Sequence, residues 1–205
     1  MEKTLSELEI VGGHPAVDFV NTVHDWTAPE RPDYLHDFTD FLRWNEMAGL
    51  LWPQAVKHFR ARPRAEQAEA FGQALALRAT LYRVFAALAA RERLFQERLD
   101  HLNTIVRRTV QWRCLAADTA DDCRSLCCLW AFRDAPATAA LGPVAWKAAE
   151  LLELGPTDRL KRCPGEHCGW LFIDTSKNRS RTWCSMRTCG NTAKVRRFRE
   201  RRQQA

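Results

Sequence analysis

The 205-residue sequence contains no run of eighteen apolar residues, so a helical membrane span is not expected. Its first residues, MEKTLSELEIVGG, are acidic where a secretory signal would be basic and then apolar, so a soluble, cytoplasmic protein is expected. Internal repeats and low-complexity segments are absent. No nucleophile–base motif, Gly-rich phosphate loop or HExxH-like motif occurs, so catalysis finds no positive support.

What the chain does have is apolar mass and unevenly placed charge. Hydrophobic residues make up 46%, with eight Trp and ten Phe, enough to bury a real core and to exclude global disorder. The length suits one substantial domain plus a small appendage. Net charge is +6, yet residues 158–205 carry thirteen Lys/Arg against four Asp/Glu, while the rest carries eighteen against twenty-one. The basic character therefore belongs to the C-terminal quarter, where a polyanion would bind.

The pattern reads as α+β: a mostly helical N-terminal domain with a β-hairpin (1–156), then a small four-cysteine zinc finger ending in a basic helix (157–205). GGHPAVDFVNTVHDW (12–26) is compatible with a short helix or an irregular buried segment. Leu35, Phe38 and Leu42 share one face of an amphipathic helix that Gly49 stops. From about Ala65 to Arg93 strong helix formers dominate, with Leu77, Leu81, Val84 and Leu88 on one face. Phe95, Leu99, Leu102 and Val106 mark another helix. Val110, Trp112 and Cys114 alternate with polar residues, and CRSLCCLWAFR follows a polar turn, which predicts the hairpin. Cys127 and Cys128 lie in that second strand and read as small core residues, with redox sensing through Cys114, Cys123, Cys127 or Cys128 as the sharper alternative. Gly142-Pro143 opens a last helix that Gly155-Pro156 closes, and this Gly-Pro marks the domain boundary.

Four of the eight cysteines stand in two pairs, Cys163/Cys168 and Cys184/Cys189, each spaced by four residues and separated by fifteen. Spaced thiols in a reducing compartment are more often metal ligands than disulfides, and four thiolates complete the tetrahedron that Zn²⁺ prefers. Pro164 and Gly165 favour a tight turn at the first pair. WLFID alternates as a strand leading away from it. Residues five apart are turned by about 140° in a regular α-helix, so the second pair requires a non-helical turn, with Cys189 near the helix start. His167, beside Cys168, is a possible substitute ligand. A basic segment with few aliphatic residues has little core of its own, which a metal can replace.

The residues Phe172, Asp174, Ser176, Asn178, Ser180, Arg181, Trp183, Cys184, Ser185, Met186, Cys189, Gly190 and Asn191 resemble the CGNR zinc finger, a bacterial family with a motif like FxDxSxNxSRxWCSMxxCGN. The fourth signature position departs: Thr192 stands where that family has Arg. Asp18, Phe19, Asn21 and Thr22 in GGHPAVDFVNT are similar to the start of the ABATE domain, which usually precedes this finger and is associated with stress-induced transcription regulation. Together the resemblances imply a zinc-dependent DNA-binding regulator.

TAKVRRFRERRQQA lacks Pro and Gly and reads as a helix whose Val195 and Phe198 could lie on the zinc knuckles. Lys194, Arg197 and Arg201 form one stripe, with Arg196 and Arg199 on the other flank and Arg202 beyond. Lys177, Arg179 and Arg181 extend the expected nucleic-acid surface, to which Lys161, Arg162 and Arg187 could add. DNA is the expected partner; an RNA-binding module and an enzyme with a pocket in the N-terminal domain are the alternatives. His14, Asp18 and Asn21, with Thr22, His24 and Asp25, form a polar cluster inside an apolar segment. It reads either as a pocket for a small-molecule effector or as capping and buried hydrogen bonding around a turn. A homodimer is plausible because one short finger reads few bases.

Overall fold

Helix α4 (Arg64–Ala89) is the axis around which the other elements are laid. Its Ala, Leu, Gln, Glu and Arg content favours helix over 26 residues, about 39 Å of rod. Ala70, Ala74, Leu77, Leu81, Val84 and Phe85 are fully buried along it. The computed structural model describes residues 3–117 and 126–203. Over these the chain is a mostly helical α+β structure with two small antiparallel hairpins.

Against α4 pack α1 (Pro15–Val20), α2 (Phe38–Met47) and α5 (Asp100–Thr109), and α6 (Gly142–Leu154) closes over α1 and α5. A shorter α3 (Pro53–Arg60) backs α2. Asp37 caps α2 by accepting from Asp40 N at 2.9 Å, and Gly49, at φ +67°, ends it as expected. Leu35, Phe38 and Leu42 are buried, although Leu35 precedes the helix. The stop of α4 is unusual. Arg91 takes the left-handed position, φ 57°, that glycine normally fills, and Glu92 N donates to Ala87 O at 2.8 Å.

The first hairpin joins β1 (Arg113–Ala117) to β2 (Leu126–Trp130), with Cys114 opposite Leu129 and Leu115 opposite Cys128. Its strand begins three residues later than the alternation suggested, because Val110–Trp112 continues the chain of α5 as a 3-10 turn. The core-thiol expectation is overturned. Cys114 and Cys128 are exposed, Cys127 is half-buried, and Leu115 is 73% exposed. At the base of the ribbon the Arg113 guanidinium lies over the Trp146 ring at 4.3 Å. Cys123, the fourth thiol considered there, falls outside the described residues.

The second hairpin belongs to the cysteine-rich segment: β3 (Leu160–Arg162) pairs with β4 (Leu171–Ile173), Lys161 opposite Phe172. Strand β4 does not alternate. All three of its residues are buried, since α1 and α4 both pack on this hairpin. Leu160, Cys163, Trp170, Leu171, Phe172, Ile173 and Cys184 share one continuous core with Phe19, Leu81 and Leu151. The Gly155-Pro156 punctuation thus marks a turn in the chain, and the packing crosses it.

The joint is built from backbone groups. The Asn21 side-chain amide donates to Leu171 O at 2.8 Å and its oxygen accepts from Leu171 N at 3.0 Å, extending the edge of β4 with a side chain. Ile173 N donates to Gly12 O, Trp170 Nε1 to Val23 O and Trp26 N to Cys168 O, at 2.8, 2.6 and 2.9 Å. Gly169, at φ +68°, leaves room for Trp26: a Cβ there would lie 3.2 Å from the Trp26 Cβ.

Of the two readings of His14, Asp18 and Asn21, the bonding matches capping and buried hydrogen bonding around a turn. The segment is helix α1 with His14 and Asn21 as its caps, and each of the three side chains bonds the chain's own backbone. His14 Nδ1 accepts from Ala16 N at 3.2 Å, and Asp18 accepts from Val11 N and Gly12 N at 3.1 and 2.7 Å. Burial pushes the Asp18 carboxyl up from 3.8 to about 6, with those N–H groups opposing the rise.

Two outcomes are expected. Asn21→Ala strands the Leu171 N–H and C=O in the core and should cost about 2–3 kcal/mol, lowering a single melting transition that includes the cysteine-rich segment. For Asp18 the folded pKa exceeds the unfolded one, so its contribution to stability is complete below about pH 4 and is lost as pH rises through 6. Asp18→Asn should remove that slope, worth up to about 3 kcal/mol between pH 4 and 8 by denaturant titration.

Candidate metal centre and basic helix

Cys163, Cys168, Cys184 and Cys189 come together with all four sulfurs within 4.8 Å of one another. The Cys168–Cys184 and Cys184–Cys189 Sγ separations are both 3.6 Å. A regular tetrahedron with Zn–S bonds near 2.3 Å has edges of about 3.8 Å, close to these two separations, so the four-sulfur group is of a size to take one zinc ion. The first three cysteines are buried and Cys189 is half-buried. His167 is 84% exposed and points to Asp25, outside the four-sulfur group.

The first pair is set by a hairpin end. Cys163 N donates to Trp170 O at 2.7 Å, and Trp170 N is directed at Cys168 Sγ at 3.5 Å. Gly165 is required there for space: a Cβ would approach Cys189 Sγ to 3.1 Å and Cys163 Sγ to 3.5 Å. The second pair is set by a π-helical turn, Met186–Gly190, in which Gly190 N donates to Ser185 O at 3.0 Å. That i→i+5 turn is wider than an α turn and brings residues five apart toward one side. The expectation that regular helix could not seat this pair holds, and the turn it uses is helical of a different period.

The thiols alone balance poorly. The Cys163 thiol is driven far down because Cys168, Cys184 and Cys189 donate hydrogen bonds to it. Cys184 and Cys168 are pushed up, mainly because each donates to Cys163. The Cys189 thiol is also shifted down, so two of the four favour the thiolate and two oppose it, and four thiolates together need a cation. A bound Zn²⁺ would supply that charge and tie the two turns together.

Between the pairs, Asp174 organises the loop. Its fully buried carboxylate accepts from Ser176 N and Oγ, Arg181 N and Lys161 Nζ at 2.9, 2.6, 3.0 and 2.6 Å. Burial alone would raise its pKa, but Lys161 and Ser176 outweigh it and hold the carboxyl well below the usual carboxylate range. Lys161 Nζ also donates to the carbonyls of Arg179 and Arg181, at 2.6 and 3.0 Å.

The expected nucleic-acid residues divide. Arg181 is half-buried and turned inward. It donates to the carbonyls of Val11, Trp183 and Cys184, and its guanidinium lies 4.4 Å over the Phe172 ring. It braces the finger against the N-terminal segment, which removes it from the exposed cations. Lys161 is likewise a strut, and Arg187 pairs with Glu9 at 2.6 Å. Arg179 pairs with Asp158 at 2.8 Å, while Lys177 has no ion pair among the described residues. Nothing in the charge pattern signalled this sorting, because charge does not say which way a side chain turns; the buried Asp174 beside them was the available clue.

Helix α7 (Asn191–Gln203) starts where the π turn ends and buries no residue. Val195 and Phe198 are 48% and 60% exposed, so the expected apolar contact with the knuckles is absent. Lys194, Arg197, Arg199, Arg201 and Arg202 are exposed, and none is in an ion pair among the described residues. Arg196 pairs with Glu166 at 2.6 Å and Glu200 at 3.0 Å, fixing the helix to the first knuckle. Thr192 Oγ1 turns back to Thr188 O at 3.1 Å.

Fold and site together define a helical domain fused through a shared core to a four-cysteine finger that holds out a basic helix. Residues 159–202 match the CGNR zinc finger, and residues 13–154 match ABATE, described as "putative stress-induced transcription regulator". The chain belongs to the ABATE family and carries a CGNR zinc finger. No curated protein matches it. Among the described residues, no helix is long and apolar enough to cross a membrane.

The Asp174 network has a pH signature opposite to that of Asp18. Because its folded pKa is depressed, its contribution is present above about pH 4 and lost as pH falls through the folded value. Asp174→Asn should lower the melting temperature at neutral pH and flatten the acid limb of the stability profile below about pH 4.

Proposed function

We propose that this chain is a zinc-dependent DNA-binding transcriptional regulator. The four cysteines hold one Zn²⁺, and the ion fixes the π turn from which α7 projects. The observation that carries this reading is α7 itself: six exposed cations, five of them in no ion pair among the described residues, on a helix fastened directly to the turn that carries Cys189, with no burial to explain them. A helix that packed on its own protein would spend its apolar residues inward. This one is a cationic rod suited to a groove and its phosphates. The family description, which names transcription regulation rather than catalysis, supports DNA over RNA. A cytoplasmic location and a stress or small-molecule input accompany the proposal.

Elemental analysis of purified protein should find one zinc per chain. In fluorescence anisotropy with duplex DNA, about five neutralised phosphates would give a log–log salt slope of roughly −4 to −5, and Arg197→Gln with Arg201→Gln would reduce it by about 2. Chelation, or Cys163→Ser, should abolish binding. Undiminished binding after verified metal loss would refute the proposal, and preference for structured RNA in direct competition would redirect it.

A further inference from the structure

A second cationic feature lies away from α7, where the last turns of α4 meet β3. A cleft of about 640 Å³ opens there, floored by Ala86, Ala87 and Ala90 with the edge of Tyr82. Arg83 and Arg98 line it from the helical domain and Arg162 from the finger side. All three are exposed. Arg162 has no ion pair among the described residues, Arg83 reaches only Thr80 Oγ1 at 3.3 Å, and Arg98 meets Glu92 loosely at 3.7 Å. Lys161 and Arg181 also line the cleft, but their donors are occupied.

Three guanidinium groups around one concavity repel each other in the empty protein. Against them stand the Glu92 carboxylate, which also lines the cleft, and the partial charge of the α4 C-terminus, about half an elementary charge, which leaves the cleft net positive. Arginine forks match phosphate oxygens two at a time, and alanine methyls offer a flat apolar bed with little side-chain entropy to lose. The volume falls within the range of small-molecule sites. At the rim Arg91, φ 57°, turns the chain beyond α4, and Glu92 and Arg98 after it both line the cleft.

We infer that this cleft is a binding site for a phosphate-bearing metabolite of nucleotide size, held by Arg83, Arg98 and Arg162 across the seam between the helical domain and the finger. It needs no part of α7 and does not depend on the DNA reading.

The test uses full-length, zinc-loaded protein at constant ionic strength, with inorganic phosphate, adenosine 5′-monophosphate and adenosine as probes. Nitrogen-15 NMR titration should show saturable one-site shifts at Arg83, Arg162 and Ala86–Ala90 with both phosphates. The nucleotide should bind at least tenfold more tightly than phosphate, and adenosine alone weakly. Arg83→Gln with Arg162→Gln should weaken nucleotide binding at least tenfold, with zinc content and ligand-free melting temperature unchanged. Arg197→Gln with Arg201→Gln should leave nucleotide binding intact. Shifts confined to α7, or equal affinity in the Arg83/Arg162 variant, would overturn the inference. So would a variant that loses duplex affinity while neither phosphate binds the wild type, since the cleft would then belong to a nucleic-acid surface.

Discussion

The Asn21 carboxamide, clamped on both backbone groups of Leu171, is the constraint on which the architecture depends. It satisfies a strand edge that no third strand covers, and it does so across 150 residues of sequence. Beside it, the α1 segment and the residues after it supply Gly12 O, Val23 O and Trp26 N to the same hairpin. A cysteine-rich segment of this size could not bury enough surface alone. Here its strand is sandwiched into a core already built by α1 and α4, and the first cysteine turn lies directly before that strand.

Order then passes outward in steps. The shared core fixes β4, β4 and Asp174 fix the loop that returns to Cys184, and the π turn fixes the origin of α7. Lys161 and Arg181 are internal struts in this sequence of contacts, each neutralising carbonyl or carboxylate oxygens that would otherwise be buried without donors. Among the exposed cations, those of α7 and those of the α4–β3 cleft are grouped on one element or around one concavity. The molecule thus presents two positive surfaces of different shape, a rod and a hollow, on either side of the first knuckle.

Much of this was legible in the sequence where local rules decide. Helix α4 followed from its composition, α6 from its Gly-Pro brackets, and the four-sulfur cluster from paired spacing. The need for an irregular turn between Cys184 and Cys189 followed from helical pitch alone. What escaped was set by distant partners. Strand β4 broke alternation because both faces are covered, and Cys127 and Cys128 were read as core although Cys128 is exposed and Cys127 only half-buried. His14, Asp18 and Asn21 looked like a ligand cluster because polar atoms inside an apolar stretch demand partners. Capping and buried hydrogen bonding was the other reading, and the sequence alone could not name the distant Leu171 backbone as Asn21's partner.

The root of α7 has a mechanical corollary. Thirteen residues of helix make a lever of about 20 Å, anchored at one end by the π turn and steadied by the Arg196–Glu166 pair. Pivoting such a lever by about ten degrees sweeps its tip through about 3.5 Å, close to the rise of one base step along a strand. On the function proposed above, alignment with a nucleic acid would be governed by sulfur geometry at the fulcrum more than by the composition of the arm.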